Sequence, residues 1–150
     1  MRTPFAQDLP YRLERPRSRD TSVIFASPHS GRDYPVDFVA ASPLDDRAIR
    51  SSEDAFVDML FADAPRFGAP LITATKPRAF LDLNRAPDEM DPAVVAGAAP
   101  HHMNPRISSG LGVIPRVVSG GRTIYRGKIS LQDARRRVAT FWRPYHNQLQ

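Results

Sequence analysis

The chain has 150 residues, enough for one domain with a real core, and its 41% hydrophobic and 25% charged residues are ordinary for a soluble globular protein. It contains no cysteine, which excludes disulfides, thiolate zinc sites and cysteine nucleophiles together; any metal must be held by His, Asp, Glu or water, a donor set suited to a catalytic site. The net charge of +5 would suit an anionic partner, but the arginines are scattered, with the densest runs in "YRLERPRSR" and "ARRRV" and no aromatic interleaving, so nucleic-acid binding is not expected.

Residues 1–20 are polar, basic and rich in proline, and read as an extended lead-in to a single domain over 21–150. They carry charges throughout and no apolar h-region, so they do not form a signal peptide. No stretch approaches the roughly 20 apolar residues of a membrane span, and a cytoplasmic location is the expectation. "SVIFAS" (22–27) is a short apolar run bounded by turn residues, the pattern of a buried strand. Residues 28–50 read as a loop with one helical turn near "PVDFVAAS".

"SSEDAFVDMLFADAPRFG" (51–68) predicts a helix with Phe56, Leu60, Ala64 and Phe67 on one face and Gly68 as its stop. "PLITAT" (70–75) then predicts a second strand and "AFLDL" (79–83) a third. Strand, helix, strand implies an α/β fold with a mainly parallel sheet flanked by helices. Residues 84–128 read as a long loop, with a small hairpin where "GVIPRVVS" and "TIYRG" flank the glycines at 120–121. A last helix starts at Ser130, with Ala134, Val138, Phe141, Trp142, Tyr145 and Leu149 on its apolar face and a kink expected at Pro144. Its pattern is still running at Gln150.

Three places could carry chemistry. His29 follows the first strand, and in α/β sheets sites form just beyond the C-terminal ends of strands. Glu53 and Asp54 fall in the first turn of the predicted helix, where carboxylates also simply complement the helix dipole. An imidazole and a carboxylate meeting across one βα unit could hold two positions of a zinc ion, with a third protein ligand still missing. In "RAFLDLNRAPDEMDP" (78–92), Asn84 and Arg85 offer an amide and a planar guanidinium fork, well suited to a carboxylate. Equally, Asp82 could pair with an arginine while Asn84 closes a turn. His101 and His102 read as solvated, and His146 as a core or supporting residue. There is no GxSxG, P-loop or GxGxxG motif.

"SPHSGRDYP", "SEDAFVDMLF", "RAFLDLNRAPDEMDP", "GLGVIPRVV", "IYRG" and "WRPYH" together resemble, in order and spacing, the N-formylglutamate amidohydrolase family. The resemblance covers about residues 20–150. It implies a zinc-dependent, exopeptidase-like α/β fold that hydrolyses the amide of N-formyl-L-glutamate to formate and glutamate in histidine degradation. It implies His29 as the first zinc ligand and Asp54 as the acidic ligand, with Glu53 the alternative beside it. Asn84 and Arg85 resemble the pair with which zinc carboxypeptidases hold a substrate carboxylate, and Arg78 and Arg126 match basic positions assigned to the acidic substrate. Zinc rests on the family, since His plus carboxylate also suits iron, cobalt or manganese.

Members of the family continue past the "PYH" helix. A later Asp-Cys-His-Ser-type segment should complete the metal site, and the catalytic carboxylate lies in the same part. The chain is therefore expected to be an N-terminal, truncated piece with weak activity or none. The expected partner is a small acidic N-acyl amino acid, with neither nucleic acid nor membrane. Two rival expectations are a hydrolase of another N-acyl amino acid or small peptide, and a basic binding module without catalysis.

Overall fold

The computed structural model describes residues 9–99 and 104–150. His101 and His102 lie outside the described residues. Tyr11–Glu14 form strand β1, in which Tyr11 and Leu13 turn toward the core while Arg12 and Glu14 stay exposed. This period-2 alternation is what lets a polar, proline-flanked lead-in join a sheet. Strand β2 is Phe25–Ser27. After it come helix α1 (Val36–Ala41) and helix α2 (Asp46–Ile49). The Asp45 carboxylate caps α2 by accepting the backbone N–H of Ala48 at 2.7 Å.

The segment 51–68 departs from the single helix expected. It holds only helix α3 (Val57–Leu60) and a 3-10 turn, Ala64–Phe67, with Phe56 between Asp54 and α3 in the left-handed region at φ 66°. Two features break the helix. The backbone N–H of Asp54 donates to the carbonyl of His29 at 3.0 Å, so the first turn is given over to a long-range contact. Of the expected apolar face only Ala64 is buried, while Phe56, Leu60 and Phe67 are all exposed.

Strand β3 (Leu71–Ala74) is buried along its whole length and forms the centre of the sheet, whose order is β1-β3-β2. β2 runs parallel to β3, with Ala26 opposite Ile72, and β1 runs antiparallel, with Arg12 opposite Thr73. The mainly parallel sheet expected from the sequence is thus corrected to a short mixed one, because the lead-in supplies the antiparallel edge. The third strand expected at 79–83 is instead a buried turn. Phe80 and Leu81 both donate their backbone N–H to the carbonyl of Pro77, and the backbone N–H of Asp82 goes to Val113.

Strand β4 (Val95–Ala96), helix α4 (Pro105–Ser108) and strand β5 (Ile129–Ser130) organise the long loop, with β4 and β5 parallel. The expected hairpin is reduced to one bridge, Val117 to Thr123, around a 3-10 turn at Ser119–Gly121. The last helix begins where expected, with the Ser130 hydroxyl accepting the backbone N–H of Asp133 at 3.0 Å. Helix α5 (Leu131–Arg137) leads through a π-turn (Val138–Trp142) into helix α6 (Arg143–Leu149). Pro144 has no N–H for the preceding turn, and the widened π-turn stands just before it, where the kink is expected.

This helix lays Ala134, Val138, Phe141 and Tyr145 on the core, where Phe38, Phe80 and Phe141 meet edge to face at 5.3 and 5.9 Å. The Tyr145 side chain is only 1% exposed, and its hydroxyl has no hydrogen-bond partner among the described residues. Burial pushes its pKa up to about 12. The neutral phenol is the form the core accepts, while the unfolded phenol ionises from about pH 10. Stability from this group is therefore full below pH 10 and lost as pH rises toward 12. Tyr145→Phe should raise the neutral-pH melting temperature by about 3 °C, equivalent to about 1 kcal/mol, and flatten the alkaline loss. Melts at pH 7 and pH 11 check this, and a lowered melting temperature at both would contradict it.

Candidate active site

The site grows from the turn that ends β2. Ser27 and Ser30 join their hydroxyls at 2.7 Å, and Gly31 lies against the backbone of Lys76 just past β3. This tight turn points His29 inward, leaving its side chain 9% exposed. His29 Nε2 is 2.7 Å from Oδ1 of Asp82, which is fully buried. Asp82 also accepts from Arg78 Nε at 3.0 Å and from the backbone N–H of Asn84 at 2.8 Å.

Burial pushes the Asp82 carboxyl up, but the hydrogen bond and charge of His29, the Arg78 guanidinium and the Asn84 N–H outweigh it and hold the pKa below the usual range. Asp82 is therefore an ionised carboxylate that can only accept, so His29 Nε2 must donate to it. In a neutral imidazole the other nitrogen, Nδ1, then presents a lone pair. That nitrogen sits 3.3 Å from Oδ2 of Asp54, whose side chain is half-exposed. A lone pair facing a carboxylate at this distance needs a proton or a cation between them.

A metal fits that gap. With metal–ligand bonds of roughly 2.0–2.2 Å and tetrahedral angles, two ligand atoms lie about 3.3–3.5 Å apart. His29 Nδ1 and Asp54 Oδ2 have this separation. No third His, Cys, Asp or Glu among the described residues joins them in a metal-holding group. Glu53 is occupied elsewhere: its buried carboxylate accepts from the Tyr34 hydroxyl at 2.7 Å and pairs with Arg50 at 3.2 Å. Burial and the nearby Glu53 carboxylate raise the Tyr34 pKa, so the phenol stays a donor. Asp54, not Glu53, faces the imidazole.

A cleft of about 520 Å³ opens beside this pair, lined among others by Glu53, Asp54, Arg78, Leu111 and Val117. Arg78 thus reaches both the cleft and Asp82. Asn84 is exposed and enters the network through its backbone. Arg85 donates to the carbonyls of Leu111 and Asn84 at 3.1 and 2.7 Å and does not line the cleft. Arg126 is exposed and outside it. His146 stacks on Trp142 with ring centres 3.9 Å apart, and its Nε2 lies 2.8 Å from the carbonyl of Leu83, while Trp142 donates to the carbonyl of Arg85. A larger cavity, about 700 Å³, lies between Met90 and Val138 and contains none of the groups around His29.

The sequence profile of the N-formylglutamate amidohydrolase family matches residues 21–150. The chain belongs to the N-formylglutamate amidohydrolase family. A crystal structure of N-formylglutamate amidohydrolase from Ralstonia eutropha JMP134 superposes with a TM-score of 0.83 at 34% identity, over 93% of this chain. This family member spans 50% of the length of that solved chain. No curated protein matches it. No helix among the described residues is long and apolar enough to cross a membrane.

Reading the sequence leaves the pairing of Asp82 with an arginine as one of two alternatives, without naming Arg78, and misses the place of Asp82 behind His29. The one available signal is a carboxylate in the middle of the apolar run "AFLDL" (79–83), where an acid is kept only if partnered. The Tyr34–Glu53 bond, which gives Glu53 other partners than Asp54, has no sequence signal.

Proposed function

We propose that this chain carries the first two metal ligands and part of the substrate site of a zinc-dependent amidohydrolase. The substrate is N-formyl-L-glutamate, cleaved to formate and glutamate in cytoplasmic histidine degradation. The observation that carries this reading is the 3.3 Å approach of His29 Nδ1 to Asp54 Oδ2 at the edge of a cleft, in a chain of this family. When bound, zinc supplies a water of lowered pKa and polarises the amide carbonyl.

The chain's own residues do the rest of what is present here. Asp82 fixes the tautomer and orientation of His29. Arg78, already in the cleft wall, offers its free N–H groups to an anionic oxygen of the substrate. Arg85 spends two donors on backbone carbonyls and keeps others for the glutamate carboxylate, with the exposed Asn84 amide beside it. Arg126, exposed and outside the cleft, is the fourth residue assigned to substrate. The general base belongs to the part of the enzyme not covered here.

With two ligands, the chain by itself is expected to bind zinc with worse than micromolar affinity and to release little formate. Isothermal titration reads the first, and His29→Ala should remove the residual binding. Submicromolar, stoichiometric zinc binding would sink the two-ligand reading. A chimera with the half of the Ralstonia chain that this one does not cover should release formate, and Arg78→Ala should lower its kcat/KM at least 100-fold. The apolar wall of Leu111 and Val117 leaves a second reading, a bulkier N-acyl amino acid. Preference for such substrates over the N-formyl compound would establish it.

A further inference from the structure

The cavity between Met90 and Val138 takes no part in the site around His29. It holds about 700 Å³, and its walls are mainly apolar. The last helix lines it with Leu131, Arg135, Ala139 and Arg143, each four residues after the one before. In a regular α-helix every such step drifts about 40° around the axis, since 3.6 residues make a turn. The π-turn over Val138–Trp142 takes more residues per turn and reduces that drift, so all four stay on the cavity.

The charge of this groove is unbalanced. Arg135 and Arg143 are exposed, and neither guanidinium has a hydrogen bond or ion pair among the described residues. The neighbouring Arg136 and Arg137 both pair with Asp133. Asp88 is the one acid among the described lining residues, and it has a partner of its own. A guanidinium matches a carboxylate with a planar fork and is weakly hydrated, so it gives up water readily to an anion. Apolar walls with a few placed polar groups are what a small-molecule site requires. We propose that this groove binds an amphipathic monoanion. Arg135 and Arg143 hold its carboxylate head, and its hydrocarbon tail lies over Met90, Leu131, Val138 and Ala139. The proposal does not rest on the metal reading of His29, because head and tail are recognised by residues which that site does not use.

Calorimetric titration of the 150-residue chain with sodium decanoate, below its micelle concentration, tests this. One saturable site with a submillimolar Kd is expected. Butyrate should bind at least 30-fold more weakly, since each buried methylene strengthens binding about fourfold. Arg135→Gln combined with Arg143→Gln removes the charge, and Ala139→Trp fills the groove with both arginines kept. Each should weaken decanoate at least 10-fold with circular dichroism and melting temperature unchanged, since all three positions are exposed. Either variant decides the matter if the other fails to fold. Met59→Glu combined with Leu60→Glu, on the exposed apolar side of α3, should leave the affinity as it is. No saturable binding, equal affinity for butyrate and decanoate, or indifference to the arginine pair or to Ala139→Trp would each overturn the proposal. Loss of binding in the α3 variant would place the ligand on that face and overturn it as well.

Discussion

Replacing Asp82 by asparagine should lower the melting temperature by about 6–12 °C and weaken what zinc binding the chain has by a further 10- to 100-fold. Asp82 is 1% exposed and accepts from three donors: His29, Arg78 and the Asn84 backbone. An amide keeps only one accepting oxygen, and its NH2 must then face a guanidinium or an imidazole N–H. Breaking a buried charge pair from one side costs about 3 kcal/mol, the low end of the usual range because Arg78 retains some contact with water. The affinity loss has a separate origin, since the imidazole is freed to turn its lone pair away from Asp54.

The pH dependence gives a second readout. The folded carboxyl titrates below its unfolded value, so its stabilisation is present above about pH 4 and lost as pH falls through the lower, folded pKa. Thermal melts from pH 3 to pH 7 should show this acid loss in the parent chain and a shallower one in Asp82→Asn. Equal melting temperatures at neutral pH would mean that the carboxylate is not the anchor described.

Gly31→Ala should cost about 3 kcal/mol, a comparable fall in melting temperature, with no polar group removed. A Cβ at this position would overlap the Lys76 carbonyl oxygen and lie 2.6 Å from its carbon and 2.8 Å from the carbonyl carbon of Thr75. All three are backbone atoms just past β3, so no side chain can swing away. The turn must lift instead. It is held down by the Asp33 N–H on the Thr75 carbonyl at 3.0 Å and by the Lys76–Asp33 pair at 2.6 Å. Lifting it would draw His29 from Asp82, so hydrogen exchange over residues 27–33 should quicken beyond any global change. A Gly31→Ala protein with parental stability and exchange would show that the turn does not approach β3 this closely.

How much of this is legible in the sequence varies with the range of the interaction. β3 and the last helix follow from apolar runs and spacing, down to the Ser130 cap, because their determinants are local. β1 escapes notice because arginine and proline surround its short alternation. "AFLDL" (79–83) misleads because a buried turn and a buried strand share the same apolar composition. The helix expected at 51–68 fails for the opposite reason: its large apolar residues Phe56, Leu60 and Phe67 are exposed.

The candidate site divides the same way. His29 at the end of a strand is readable from position. That Asp82 lies behind it is not, since 53 residues separate them. The family resemblance favours Asp54 and keeps Glu53 as the alternative beside it. Only the capture of Glu53 by Tyr34 and Arg50 leaves Asp54 turned toward the imidazole.

The bonds from Trp142 and His146 to the carbonyls of Arg85 and Leu83 carry a consequence for how such a protein can drift. The backbone that presents Asn84 and Arg85 is pinned from behind by a helix 57 and more residues away. With Asn84 and Arg85 in the proposed role, a change in selectivity toward the acid moiety would arise from the indole or imidazole of that distant rod, with both side chains intact. Lineages that alter one should be found to have adjusted the other.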